Sequence, residues 1–271
     1  MNYIQIMGGL GNQLFQYAFS RYIEFLTGHP SVLYTGIYDQ KFNEEGLTLR
    51  NFSLDIFNTD YVGANGSVVC EKIITENDFT NKIQFNNTFF KGYWQCIDYY
   101  GSILDTLADE LSINKSYISN DIQSIADMIR STESLSLHVR RTDYLNPTNQ
   151  NIFCQLTQNY YETSIKCIID KIGCKPILYI FSDDYDYVKS EMENFMGCKT
   201  VIMPPRKDYE DFYLMSAAKH HIIANSSFSY WSALLSNNTD SITAGPKYWF
   251  KHTPTPRLYL DSWICIENHR N

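Results

Sequence analysis

Short apolar runs at 135–139, 177–181, 200–203, 222–224 and 241–244 alternate with segments at 160–172, 185–195 and 209–218 whose apolar residues recur every three or four positions. That alternation leaves little choice of architecture. A strand, a helix and another strand close a parallel pair, and the helix that carries the chain back covers one face of the sheet. The opening residues repeat the unit, with a strand at 3–7, the turn Gly8-Gly9-Leu10-Gly11-Asn12-Gln13, apolar residues at helical spacing over 14–25 and a second strand near Val32. An α/β protein with parallel sheets follows. Residues 36–93 are rich in tyrosine and asparagine and show no sustained period, so irregular loops and short helices are expected there. Helices near 103–111 and 118–129 close this half, and the boundary is expected around 131–134, giving domains 1–132 and 133–271.

Ligands of open parallel sheets bind beyond the carboxyl ends of strands, and the chemically loaded segments of this chain follow its strand runs. His138-Val139-Arg140-Arg141-Thr142-Asp143 ends one run, Ser182-Asp183-Asp184 ends the next, and Asn225-Ser226-Ser227-Phe228 follows a later one. Arginine suits a buried anion, because its planar fork meets phosphate oxygens two at a time and it stays charged at physiological pH. A diphosphate is the ligand these residue types favour. The same hexapeptide also reads as a surface ion-pair cluster in which Asp143 neutralises one arginine. The glycine turn is a second anion candidate, since Gly9 and Gly11 let backbone N–H groups approach a ligand at the positive end of a helix. From Gly9 onward it lacks the third glycine of G-x-G-x-x-G, and no acid stands about 20 residues further on, which disfavours a dinucleotide. A tight turn without ligand is the plain alternative.

Together the glycine turn, the His-x-Arg-Arg-x-Asp segment and Asn225-Ser226-Ser227-Phe228-Ser229-Tyr230-Trp231 resemble the bacterial α-1,2-fucosyltransferases. Asp211-Phe212-Tyr213-Leu214-Met215-Ser216, Phe181-Ser182-Asp183-Asp184 and Pro246-Lys247-Tyr248-Trp249-Phe250 extend the likeness along the chain. Thr142, where many members carry glycine, and Tyr230, where many carry tryptophan, depart from it. The resemblance implies a GT-B arrangement of two Rossmann-like domains facing a cleft, with residues 36–93 shaping the acceptor side. It implies transfer of L-fucose from GDP-β-L-fucose to the 2-hydroxyl of a β-galactoside with inversion. Arg140 would bind the β-phosphate and stabilise charge on the leaving group. Asp143 would orient a guanidinium or serve as the acceptor's base, and Arg141 would share the pyrophosphate or pair with Asp143. His138 would bond guanine or phosphate, unless it is a satisfied core histidine. One of Asp183 and Asp184 would meet the guanine N–H donors while the other caps the helix from Tyr185. Asn225, Ser226, Ser227 and the Phe228 amide would hold phosphate at a helix start, and Gly9, Gly11, Asn12 and Gln13 would close over the same pyrophosphate.

The net charge of −8 lacks the extended basic face that nucleic acid demands. Seven scattered cysteines without a C-x-x-C pair read as reduced buried thiols. No apolar run approaches 18 residues and the first strand starts by residue 3, so no membrane span and a cytoplasmic location are expected, with contact to lipid-linked glycans only peripheral. The one Asp-x-Asp sequence, Asp184-Tyr185-Asp186, keeps a metal in view; the two arginines supply the positive charge a divalent ion would bring, so no cofactor or metal is expected.

Overall fold

The computed structural model describes residues 1–39, 50–80 and 85–270. They form two compact units, Met1–Asn114 with Pro256–Leu258, and Lys115–Thr255 with Tyr259–Asn271. In the first, β1 (Asn2–Gln5), α1 (Leu10–Thr27), β2 (Ser31–Tyr34), β3 (Val62–Ala64), β4 (Lys72–Thr75) and β5 (Thr88–Lys91) precede α2 (Leu104–Glu110). The strands lie in the order β3-β2-β1-β5-β4, and every neighbouring pair is parallel.

α1 turns its apolar stripe, including Leu14, Phe15, Ala18, Phe19 and Ile23, into the core, and Gly28 at φ 68° ends it by returning its N–H to the Glu24 carbonyl. This core is strongly aromatic. Phe19 stacks on Trp94 at 3.8 Å and 3°, and the edges of Phe79, Phe90 and Tyr99 meet the same Phe19 ring. Single helical turns at Gly36–Asp39 and Leu54–Ile56 meet the expectation of loops and short helices over 36–93, and β3, β4 and β5 correct the rest of it. Strands of three or four residues are too short to display a period, and the edge residues Val62 and Ile73 stay exposed. Residues 40–49 and 81–84 of that expectation lie outside the described ones.

The second unit holds α3 (Asn120–Ser131), β6 (Ser134–Val139), α4 (Pro147–Gln150), α5 (Gln158–Ile172), β7 (Ile177–Ser182), α6 (Tyr185–Glu191), β8 (Thr200–Ile202), α7 (Asp208–Ser216), β9 (His220–Ile222), α8 (Ser227–Leu234), β10 (Thr243–Pro246) and β11 (Ile264–Ile266). Its sheet runs β11-β10-β9-β6-β7-β8, parallel throughout, so the expected strand–helix alternation is present and β11 is added to it. All six residues of β6 are buried, as a strand covered on both faces must be.

The units divide between Asn114 and Lys115, ahead of the 132/133 boundary read from the sequence. Ile122, Ala126 and Ile129 of α3 are buried with Tyr179, Phe181, Leu214 and Met215, so this helix belongs to the second core. Periodicity shows that a helix has an apolar face, not which core receives it. Pro256–Leu258 return to the first unit, where the Arg257 carbonyl accepts from the Ile97 N–H at 2.8 Å. None of the seven cysteines is paired; Cys154 and Cys198 are buried, but Cys174 and Cys265 are exposed. No helix among the described residues is long and apolar enough to cross a membrane.

Candidate active site

Strand register assembles the charged row. Val139 pairs with Ser182 and Leu137 with Ile222, so the residues that follow, Asp183, Arg140 and Asn225, come level with one another beyond three adjacent strand ends. The Arg140 guanidinium reaches Asp143 at 2.5 Å and Asp183 at 3.2 Å. Asp183 also accepts from the Arg141 N–H at 2.8 Å and the Thr142 hydroxyl at 2.6 Å. Arg141 pairs through Nε with Asp184 at 3.1 Å and lies 3.5 Å above the Tyr187 ring. The ion-pair reading of the hexapeptide is therefore realised, although Arg140 keeps 21% of its side chain exposed and Arg141 29%.

Burial pushes the Arg140 guanidinium towards losing its proton, and Asp183 and Asp143 outweigh that and hold it charged. Burial pushes the Asp183 carboxyl up, but Arg140, the Thr142 hydroxyl and the Arg141 N–H together bring it below the usual carboxylate range. A fixed cation in a half-dry place is the result. His138 beside it is 4% exposed, and burial with the Arg140 charge pushes it down to about 4, so it is neutral at physiological pH. Its ring lies against Phe228, and Nδ1 has no hydrogen-bond partner among the described residues.

The other sequence-derived candidates divide between ligand-ready and structural. Asp184 caps α6 through the Tyr187 N–H at 3.2 Å, as one of the two acids was expected to. Asn225 spends both amide hydrogens on the carbonyls of Cys154 and Trp249, which ties two loops to the strand end and leaves that amide no donor for phosphate. Its carbonyl accepts from Tyr144 at 2.8 Å. Ser226 makes no side-chain capping bond at α8, which leaves the first-turn amides of Ser227 and Phe228 to an anion.

Asp211 opens the segment Asp211–Ser216 that shares in the family likeness, and no pattern in the sequence marks it for a role. It sits on α7 next to Phe212, whose ring meets Phe228 edge-on, and its Oδ1 is buried without a partner among the described residues. Burial is the chief cause that pushes this carboxyl up to about 7, with Arg206 opposing and Glu210 and Asp208 adding to the rise. A lone acid in a helix gives no such signal in sequence, since only folding buries it.

In the first unit Gly8 adopts φ 80° and Gly9 precedes Leu10 as the helix N-cap, so Gly11, Asn12 and Gln13 fall inside the first turn of α1. The Gln13 side chain donates to the carbonyls of Gly8 and Asn51 and accepts from the Ser53 N–H at 2.8 Å. It is fully buried and every polar position is used, so Gln13 fastens the turn, which corrects its assignment as a pyrophosphate ligand. Asn12 accepts from Gln95 at 3.0 Å.

Comparison with known proteins agrees with this geometry. The model of glycosyl transferase family 11 matches residues 1–267. An α-1,2-colitosyltransferase of Escherichia coli is 31% identical over 292 residues, covering 97% of this chain and 98% of the relative. The O-antigen biosynthesis glycosyltransferase WbnK of Escherichia coli is 28% identical over 304 residues, covering 97% and 100%. Among solved structures, a glycosyl transferase family 9 protein of Veillonella parvula aligns with a TM-score of 0.50 at 11% identity, over 98% of this chain and 86% of that one. NodZ α-1,6-fucosyltransferase co-crystallised with GDP aligns with a TM-score of 0.50 at 14% identity, over 86% and 91%. At such identities the likeness speaks for the fold alone, and it is the GT-B fold of parallel-sheet units expected from the sequence.

Proposed function

The chain belongs to glycosyl transferase family 11, and we propose that it transfers L-fucose from GDP-β-L-fucose to the 2-hydroxyl of a terminal β-galactoside, inverting the anomeric centre to an α-1,2 linkage. One observation carries the reading. A guanidinium held charged by two acids, yet one-fifth exposed, stands level with the start of α8, where unspent amides favour an anion.

In the reaction the galactoside oxygen forms the bond to the sugar's anomeric carbon as the bond to the β-phosphate oxygen breaks. The electron pair of that bond passes to the diphosphate. Arg140 is placed to take up the growing charge, an effect of about 3–4 kcal/mol for a single well-placed donor. Arg141, stacked on Tyr187, shares the diphosphate, with the Ser227 and Phe228 amides at its other side. The hydroxyl proton goes to Asp143 or to the departing phosphate.

Guanine is matched better to Asp211 than to Asp183 or Asp184, because Asp183 already serves Arg140, Arg141 and Thr142, and Asp184 serves Arg141 and the α6 cap. Asp211 instead has a buried oxygen in want of a donor, and guanine brings two adjacent N–H groups. Neutral His138, with Nδ1 unspent beside Phe228, completes that end.

Turnover needs no divalent ion on this reading, since both Asp184 oxygens are engaged and the arginines supply the charge. A chelator should leave the rate unchanged; abolition by chelation and rescue by manganese would overturn this. The acceptor is a soluble or lipid-linked galactoside met from the cytoplasm. Release of GDP from GDP-fucose with a panel of β-galactosides, followed by linkage analysis, tests the whole reading. A second donor belongs in the panel: the 31% identical relative is named a colitosyltransferase, and colitose is fucose without its 3-hydroxyl. Turnover of GDP-colitose alone would replace fucose in the assignment.

A further inference from the structure

The carboxyl edge of the first unit's sheet carries a second constellation, which the donor site does not use. β4 delivers Glu76 one residue past Thr75, and the neighbouring β5 delivers Gly92-Tyr93-Trp94-Gln95. Trp94 is fully buried yet takes φ 57°, a left-handed conformation that a bulky side chain adopts only when its surroundings enforce it. In that conformation its backbone N–H donates to Glu76 Oε1. Gly92 lies so close that a Cβ there would stand 2.6 Å from Glu76 Cγ and 2.9 Å from Oε1. The backbone thus fixes one carboxylate oxygen, while Oε2 makes no hydrogen bond among the described residues.

Tyr93 lies within electrostatic reach of Glu76 and also of Tyr38, whose hydroxyl is held to the Gly8 carbonyl at 2.9 Å. Tyr93 as a whole is 42% exposed although it follows a strand. Gln95 and Asn12 bond each other next to it, tying this edge to the glycine turn. Two further polar atoms here, Gln5 Oε1 and the Trp94 indole N–H, are buried without partners among the described residues, where such groups are ordinarily satisfied. The set has a carboxylate with an open oxygen, an exposed aromatic face and side-chain amides. That is a neutral sugar's complement: hydroxyls donate to the carboxylate and the C–H face lies on the ring.

We propose that this edge is the acceptor subsite, in which Glu76 Oε2 accepts hydroxyls of an uncharged pyranoside and Tyr93 supports its ring. The inference rests on the glycosyltransferase reading above and deepens it by naming the acceptor's binding residues. A fixed carboxylate also repels acceptors that carry their own, so uronides and sialosides are excluded.

Steady-state kinetics with GDP-fucose and lactose would test this in Glu76→Gln, Tyr93→Ala and Tyr93→Phe. The first two should raise the KM for lactose by about tenfold or more, Tyr93→Phe should stay within about twofold of the parent, and the KM for GDP-fucose should stay within about twofold in all three. A lactose KM unmoved by Glu76→Gln and Tyr93→Ala overturns the proposal. Calorimetric titration with GDP shows whether each variant has folded. Saturation-transfer NMR of methyl β-galactoside and methyl β-galacturonoside on the parent protein reads the subsite without catalysis: the galactoside should give signal that Glu76→Gln abolishes, and the uronide none. Equal signal from both sugars, or signal surviving the substitution, overturns it. Galactoside binding without any fucosyl transfer would sink the fucosyltransferase reading and leave the subsite standing.

Discussion

The carboxyl edges of the two sheets are built from opposite materials. Beyond β6, β7 and β9 the edge is ionic, with two guanidiniums, three acids and a capped helix knitted together by short contacts. Beyond β1, β4 and β5 the edge is glycine, amide and tyrosine around the Glu76 carboxylate, which holds the backbone N–H of Trp94 at its positive φ. On the proposed reading the ionic edge takes the donor's diphosphate and the other edge takes a neutral acceptor. A diphosphate needs fixed positive charge that neither deprotonates nor collapses, and paired acids maintain both conditions. A neutral ligand needs shape, a ring face and a few well-aimed acceptors.

The largest expected effect breaks the ionic edge. Arg140→Ala should lower kcat by about a hundredfold to a thousandfold, roughly 3–4 kcal/mol of transition-state stabilisation, with a much smaller change in Tm. A near-normal kcat, measured by GDP release, would remove Arg140 from the chemistry and make the row merely structural.

Asp211→Asn sharpens the same edge through its pH dependence. The folded carboxyl is pushed up to about 7 from 3.8, so between those pH values the folded state keeps a proton that the unfolded state has lost. Stability contributed by the protonated acid therefore falls as pH rises from 4 towards 7, and the loss is complete above it. The Tm of Asp211→Asn relative to the parent should climb from pH 4 to pH 8 by the equivalent of about 4 kcal/mol, while affinity for GDP falls. A stability difference that is flat with pH, measured by thermal unfolding, contradicts a buried acid.

Gln13→Ala probes the neutral edge, where the side chain fastens the glycine turn. Removal strands the Ser53 N–H and takes one donor each from the Gly8 and Asn51 carbonyls, which keep the Tyr38 and Ser53 hydroxyls, costing about 1–3 kcal/mol in denaturant unfolding. If GDP affinity collapsed while stability held, Gln13 would be a ligand after all. The smallest effect is expected far from both edges. Arg130 meets Asp127 at 3.0 Å with both side chains well exposed, and Arg130→Ala should change unfolding free energy by less than about 1 kcal/mol.

The two edges also differ in how far a sequence reveals them. His138 to Asp143 is contiguous and follows a buried run, so its charge and its place at a strand end can be read together, and the register then confirms the neighbours Asp183 and Asn225. Asn225 and Gln13 look like ligands in sequence because amides bind phosphate and carbonyl alike; only folding shows their hydrogens already spent. Asp211 and Glu76 were invisible for the converse reason, since burial of one and fixation of the other arise from packing between distant segments. β3, β4 and β5 escaped because strands of three or four residues, punctuated by glycine and asparagine, carry no measurable alternation.

Calorimetric titration of the protein and of Arg140→Ala with GDP and with GMP tests the paired-guanidinium grip most directly. The parent should bind GDP at least about tenfold more tightly than GMP, and the variant should lose that preference while still binding GMP. Equal affinity of the parent for the two nucleotides, or a preference that survives Arg140→Ala, would contradict it.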